Sequence, residues 1–216
     1  MLHEKYRPKD WADVIGQDKI TGFLRELETA GKLAGKAYWI SGKSGCGKTT
    51  IARIIAAKVS SAMNTAEFDA GELTPATLRN IEDELHYSPM DCKARCFIVN
   101  EAHGLRKDAA RILLRLLEYP FLSDSVVWIF TTTLAGQMQF EESGIDAGPL
   151  LGRCLGLKLA ERGIAELAAV RLKEIAEAER MDGRPVKDYV KLFYDCGSSF
   201  RAAIGEIERG AMIVTA

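Results

Sequence analysis

What this sequence lacks narrows it first. No apolar run approaches the roughly 18 residues that a membrane-spanning helix needs. The opening stretch, Met1 to Asp10, is charged and holds no apolar core of a secretory leader. An excess of either charge is missing too: 29 Lys and Arg against 30 Asp and Glu leave a net charge of -1. With no global polybasic field, any contact with nucleic acid has to come from a local cluster. The five cysteines (Cys46, Cys92, Cys96, Cys154 and Cys196) show no paired CxxC spacing. That argues against a disulfide scaffold and against a zinc site, of which Cys92 and Cys96 make at most half. A reduced cytoplasmic or nuclear setting is the expectation. Internal repeats and low-complexity segments are absent as well.

What is present is ordinary globular composition, with 47% apolar and 27% charged residues in 216. This length suits one large domain, or a medium domain and a small one. Short apolar runs alternate with amphipathic stretches, the pattern of a parallel sheet covered by helices. Strands are expected at Ala37 to Ser41, Ala66 to Asp69, Cys96 to Asn100, Val126 to Thr131 and Leu155 to Leu159. Helices are expected from Thr49 to about Ser61 and over Ala109 to Glu118. Near Ala160 the texture changes to helix alone: Ile164 to Arg180, Val186 to Asp195, and Phe200 to Arg209 with Ser199 as N-cap. The expected fold is therefore α/β over residues 1–160, followed by a small three-helix domain over 161–216 that packs on the first.

Chemistry enters at Gly42-Lys43-Ser44-Gly45-Cys46-Gly47-Lys48-Thr49, which matches the phosphate-binding P-loop, Walker A. A strand before it and a helix after it supply the required setting. Glycines let backbone N–H groups converge on phosphate oxygens, and the helix N-terminus adds its dipole. Lys48 is expected to bridge the β- and γ-phosphates of ATP, and Thr49 to offer its hydroxyl to Mg²⁺. Further on, the apolar run Phe97-Ile98-Val99 leads into Asn100-Glu101-Ala102-His103. Glu101 is placed to act as base for an attacking water. Asn100 stands where an Asp ordinarily helps hold the magnesium shell; it keeps an oxygen and loses the charge, so magnesium affinity should fall.

With these motifs in hand, the chain resembles the clamp-loader ATPases, the AAA+ proteins that include replication factor C subunits and the bacterial tau/gamma subunit. The resemblance rests on Glu4-Lys5-Tyr6-Arg7-Pro8, on Val14-Ile15-Gly16-Gln17, and on the block Asn100 to Glu118. Thr131-Thr132-Thr133, Gly152-Arg153-Cys154 and Cys196-Gly197-Ser198-Ser199-Phe200-Arg201 follow in the family's order. It implies an AAA+ sheet with a helical lid, ATP or ADP with Mg²⁺, and clamp loading on primer–template DNA in replication. Tyr6, Arg7, Val14 and Ile15 would line the adenine and ribose, with Gly45, Cys46, Gly47, Lys48, Thr49 and Thr50 on the phosphates. Thr49 and Asn100 would face the metal. Thr132 or Thr133 would be sensor 1, Arg201 would touch the γ-phosphate from the lid, and Arg153 would be an arginine finger acting on a neighbouring subunit. Plain alternatives stand beside these roles: Tyr6 packed on the sheet edge, Arg201 solvated, Arg153 paired with a local carboxylate. DNA phosphates would meet Thr77, Arg79, Asn80, Arg106 and Lys107, at helix N-termini and without reading bases.

The sequence departs from the family at Asn100, at Gly152 in place of Ser, and at Ser199 in place of an acidic residue. The family's helical collar is not within these residues, which implies a longer natural protein or a minimal relative that assembles differently. Implied partners are other clamp-loader subunits, a sliding clamp and DNA. Two further readings compete: a related AAA+ DNA motor or maintenance ATPase, and a nucleotide-holding scaffold with weak or no hydrolysis, favoured by Asn100.

Overall fold

The computed structural model describes residues 1–89, 93–118, 120–133, 139–140 and 145–213, and only the backbone of 139–140 and 145–146; Cys92 lies outside them. In chain order the helices and strands are α1 (Leu2–Lys5), α2 (Asp18–Thr29), β1 (Lys36–Ser41), α3 (Lys48–Val59), β2 (Thr65–Asp69), α4 (Pro75–Leu85), β3 (Arg95–Asn100) and α5 (Lys107–Leu116). They continue as β4 (Val126–Thr132), β5 (Gln139–Phe140), β6 (Ile145–Asp146), α6 (Gly148–Leu151), β7 (Leu155–Lys158), α7 (Ala165–Ala178), α8 (Val186–Asp195) and α9 (Phe200–Glu208). Among the described residues no helix is long and apolar enough to cross a membrane.

The expected strands form one five-stranded sheet in the order β2-β3-β4-β1-β7, and every neighbouring pair is parallel. Strands buried on both faces read as continuous apolar runs, which is why AYWIS, CFIV and VVWIF were legible as strands. Side chains alternate between the faces. Ala37, Trp39, Phe97, Val99, Trp128 and Phe130 meet Leu78 and Ile81 of α4 and Leu113 and Leu116 of α5. Tyr38, Ile40, Cys96, Ile98, Val127 and Ile129 meet Leu24 of α2 and Ile51, Ile54 and Ile55 of α3. On the first face Trp128 stacks on Phe97 at 4.6 Å between ring centroids and lies 6.0 Å from Phe130. Helix α4 starts where Thr74 caps it by accepting from the Thr77 N–H, with Pro75 in its first turn.

Helices α7, α8 and α9 enclose a separate core around Ala168, Leu172, Ile175, Tyr189, Phe193, Ile204 and Ile207. So small a bundle buries too little apolar surface to stand alone. It borrows from the N-terminus: Leu2 of α1 is buried in this cluster and Tyr6 packs against it. Full burial of one such leucine is worth about 2 kcal/mol. The bundle also presses on the sheet domain at Gly16. That residue has φ +69, and a Cβ there would sit 2.3 Å from Ile164 Cγ2, so only glycine fits. Ser199 caps α9 as expected, accepting from the Ala202 N–H.

Candidate functional site

One cleft lies between the sheet domain and the three-helix bundle. Its walls are Tyr6, Arg7, Val14 and Ile15 from the N-terminal segment, Ser44 to Thr50 from the loop after β1 and the start of α3, Glu101 after β3, and Arg171, Ile175, Phe200, Arg201 and Ile204 from the bundle; His3, Pro8 and Asp13 complete it. Motifs that are remote in sequence thus converge because each sits at the end of an element. The loop and Glu101 follow β1 and β3 at the same edge of a parallel sheet, where ligands of α/β proteins bind. Arg201 occupies the first turn of α9, whose N-cap is Ser199.

Within the loop, Lys48 is only 6% exposed, and its ammonium donates to the carbonyls of Gly42 and Lys43, both at 2.9 Å. The loop therefore holds its own lysine in place at the mouth of α3. Gly45 has φ +77, and a Cβ added to it would lie 1.9 Å from Ser199 Oγ, so loop and bundle touch without room for a methyl group. Burial pushes the Cys46 thiol up, which makes it a packing residue and a poor nucleophile.

Three neutral oxygens gather at the end of β3. Asn100 Oδ1 accepts from Thr131 Oγ1 at 3.0 Å and from Thr49 Oγ1 at 3.4 Å. On its other side the Asn100 amide donates to Glu67 Oε1 at 2.7 Å. An all-oxygen donor set suits a hard divalent cation, whose remaining ligands would be phosphate oxygens and water. Glu101 is exposed and adopts φ 49, ψ 49, a left-handed conformation that non-glycine residues rarely take and that recurs at functional sites. It lies 3.4 Å from His103 Nδ1, which is also 3.2 Å from Thr132 Oγ1. His103 thereby links the buried Thr132 to Glu101.

Arg7 donates to Thr50 Oγ1 at 3.2 Å and pairs with Glu4. Tyr6 donates its hydroxyl to Glu179 at the end of α7, and Lys5 pairs with the same carboxylate. Tyr6 therefore packs on the bundle and not on the sheet edge. Arg201 is exposed on the cleft wall. Arg153 is not brought into the cleft: it pairs with Glu118 through Nε and Nη2 and donates from Nη1 to the Pro149 carbonyl at 2.8 Å. Neither Thr132 nor Thr133 lines the cleft; of the threonines on β4, Thr131 is the one that touches Asn100. Thr77 is tied into the first turn of α4, its hydroxyl donating to the Glu72 carbonyl at 3.2 Å. Arg79, Asn80, Arg106 and Lys107 are exposed, and the turns preceding α4 and α5 touch, so the two helix starts lie side by side.

Sequence reasoning missed Glu67, Thr131, His103, Phe200 and Ile204. The last two were accessible from their spacing: Ile204 lies one turn beyond Phe200 and Arg201 on α9. Glu67 had no local signal, since nothing along the chain pairs the middle of β2 with the end of β3.

Known proteins are similar to this chain in sequence and in fold. Residues 38–141 match the ATPase family associated with various cellular activities (AAA). The chain is 32% identical over 157 residues to the DNA polymerase III subunit gamma/tau of Mycobacterium tuberculosis, covering 61% of this chain and 27% of that one. It is 25% identical over 237 residues to DNA polymerase III subunit gamma of Buchnera aphidicola, covering 96% and 60%. With the tau subunit of Escherichia coli it shares 24% over 208 residues, covering 86% and 30%. The chain thus spans between about a quarter and three fifths of these relatives' lengths. Among solved structures it is similar in fold to the Thermotoga maritima RuvB Holliday junction branch migration motor, with a TM-score of 0.69 at 20% identity, covering 94% of this chain and 64% of that one.

Proposed function

We propose that this chain, whose residues 38–141 match the AAA ATPase family, binds and hydrolyses ATP as a clamp-loader-type subunit in DNA replication. Its division would fall near residue 160, with the N-terminal helix lent to the lid. The observation that carries this reading is the single cleft in which the phosphate loop, Glu101, Tyr6, Arg7, Val14, Ile15 and the lid residue Arg201 meet. Val14 and Ile15 offer an apolar wall for a base, and Arg7 stands beside Thr50 at the start of α3. Lys48 is held where its charge serves the terminal phosphates, and Arg201 closes the cleft from the lid. Thr49 and Asn100 would hold Mg²⁺, which when bound neutralises phosphate charge. Glu101 orients and deprotonates the attacking water, with His103 and Thr132 behind it. Lid position and nucleotide state are coupled because Arg201 and Phe200 belong to the lid while the loop belongs to the sheet.

Arg79, Asn80, Arg106 and Lys107, at neighbouring helix starts, are suited to DNA phosphates without base readout. The wider assembly we propose includes further AAA+ subunits, a sliding clamp and primer–template DNA, in the cytoplasm, or the nucleus of a eukaryote. A second reading, a nucleotide-holding subunit with little turnover, draws on the uncharged Asn100. Turnover measured with partner subunits and DNA separates the two. The primary test is ligand-linked stability. ATP or ADP at about 100 times its Kd should stabilise the chain by about 2.7 kcal/mol, and Lys48→Ala should remove most of the shift. Equal shifts in both proteins would end the assignment.

A further inference from the structure

Asn100 is the place where this chain departs from a charged metal-facing residue, and its surroundings suggest how the departure is tolerated. We infer that Glu67 is a positioning residue for Asn100, fixing the amide so that its oxygen faces Thr49 and supplying from the next strand the carboxylate that Asn100 lacks. This rests on the proposed reading of Thr49 and Asn100 as the metal-facing pair.

An asparagine side chain has two nearly equal ends, an acceptor oxygen and a donor NH₂. Turned one way, Asn100 offers a lone pair to a cation; turned the other, it offers N–H hydrogens that repel one. Hydroxyls do not decide between the two, because Thr49 and Thr131 can donate or accept. A carboxylate does decide, because it only accepts. Glu67 Oε1 lies 2.7 Å from Asn100 Nδ2, so only the NH₂ end can face it, and the oxygen is left for Thr49 and Thr131.

Glu67 is itself held. It lies on β2 beside β3, in a register that sets Asp69 against Asn100 and Glu67 against Ile98, so its side chain shares the face of Asn100. Arg53 of α3 forks onto it with contacts of 3.0 and 3.2 Å. Helix α3 is the same helix that begins with Lys48 and Thr49. The carboxylate is thus braced between the sheet and the phosphate-binding helix, and the Asn100–Glu67 pair carries one negative charge across two strands.

A charge-transposition experiment follows. Asn100→Asp alone would remove the NH₂ that Glu67 accepts from and set two like charges side by side. Its added charge should therefore tighten metal binding little or not at all. In combination with Glu67→Gln, the new aspartate would accept from the glutamine NH₂, and the transposed pair should bind metal at least as well as the wild type. Metal binding is read directly as the loss of the free Mn²⁺ electron paramagnetic resonance signal, with ADP saturating. Glu67→Gln and Glu67→Ala should each raise half-saturating Mn²⁺ by about tenfold, the size of effect common for groups that orient a metal ligand. Melting curves establish that each variant is folded, and the alanine variant stands in should glutamine misfold. Position 67 acts through position 100 only if Asn100→Asp has one effect in the wild type and another in the Glu67→Gln variant. Equal effects in both, or half-saturation unmoved by Glu67→Gln and Glu67→Ala, overturn the inference. A wild type showing no ADP-dependent Mn²⁺ binding would instead remove the functional reading beneath it.

Discussion

The side chain of Gln17 and the backbone of Ala160 exchange two hydrogen bonds: Nε2 donates to the Ala160 carbonyl at 3.0 Å, and Oε1 accepts from the Ala160 N–H at 2.8 Å. Gln17 is 3% exposed, and Ala160 lies just where the chain leaves the sheet for the lid. A buried amide here takes the place of a strand partner at a point with no strand. Beside it, Gly16 allows Ile164 to approach. The Gly-Gln pair of the N-terminal motif therefore anchors the junction between the sheet and the three-helix bundle.

Gln17→Ala should destabilise the chain by about 1–3 kcal/mol, since it removes two part-buried hydrogen bonds made by a buried side chain. Gln17→Glu should cost more than alanine at pH 8, because a carboxylate cannot donate to the Ala160 carbonyl and dislikes burial. Lowering the pH to about 5 protonates that carboxyl and restores a donor, so the gap between the two variants should narrow. Urea midpoints at the two pH values decide it; a gap independent of pH would mean that the Nε2 bond contributes nothing.

Gly45 faces Ser199 in the same way that Gly16 faces Ile164. Gly45→Ala meets a left-handed φ of +77 and a hydroxyl 1.9 Å from the new Cβ. The backbone share of that penalty is about 1 kcal/mol and the contact adds to it. Ser199→Gly alone should cost only a few tenths of a kcal/mol, since glycine is a tolerable N-cap. Combined with Gly45→Ala, it should recover the contact share of the loss and leave the backbone share. If the double variant melts where Gly45→Ala does, loop and lid do not press on each other at this point.

The strands were legible because a central parallel strand is apolar on both faces, and runs such as VVWIF have no other reading in a chain with a phosphate loop. Helices α7, α8 and α9 were legible from their stripes, to within a few residues at each end. Helix α2 is not read from the sequence and α4 only at its start, although both carry apolar residues at helical spacing, Ile20, Leu24 and Leu27 in one, Leu78, Ile81 and Leu85 in the other. Each stripe is interrupted by charge and, in α2, by Gly22. What no local pattern announces is long-range pairing. Leu2 enters the lid core from the opposite end of the chain, and its N–H donates to Glu208 at 3.3 Å. Motif spacing brought the cleft residues into view; the partners behind them, Glu67 and Thr131, depend on strand order, which a sequence pattern does not carry.

The lid has a built-in acid sensitivity. Asp182 accepts from Lys173 Nζ at 2.7 Å and from the Tyr189 hydroxyl at 2.6 Å. These contacts, the lysine foremost, hold its carboxyl down from an ordinary 3.8 to about 2. A depressed value means the folded state favours the ionised form. Its contribution is therefore complete above about pH 4 and is lost as pH falls toward 2. Asp182→Asn should lower stability near neutrality by about 1 kcal/mol, a figure reduced because solvent reaches the pair. The difference between wild type and variant should shrink as the pH falls from 4 toward 2. Urea titrations at pH 6, 4 and 3 measure it; a constant difference would assign the effect to packing around Tyr189 alone.

Arg153 supplies the last prediction. It is held by Glu118 and the Pro149 carbonyl on its own chain and is not among the residues lining the cleft. A fork built for a carboxylate suits a phosphoryl group equally well, and Arg153 is exposed, so a neighbouring subunit's nucleotide can compete for it. Glu118→Ala should therefore leave whatever turnover the isolated chain has unchanged, since releasing Arg153 does not bring it to its own site. An arginine finger contributes about 10³–10⁵ in rate, so activity should appear only on assembly. The decisive experiment mixes Glu101→Gln subunits, which keep the finger and lose the base, with Arg153→Ala subunits, which keep the base and lose the finger. Once light scattering shows that the chains associate with the DNA or partners supplied, some sites in the mixture receive a sound base from one chain and a sound finger from the other. Turnover should then exceed that of either variant alone. Association without such complementation, or fast turnover by a strictly monomeric wild type, rules out action in trans, and Arg153 would be left as the surface partner of Glu118.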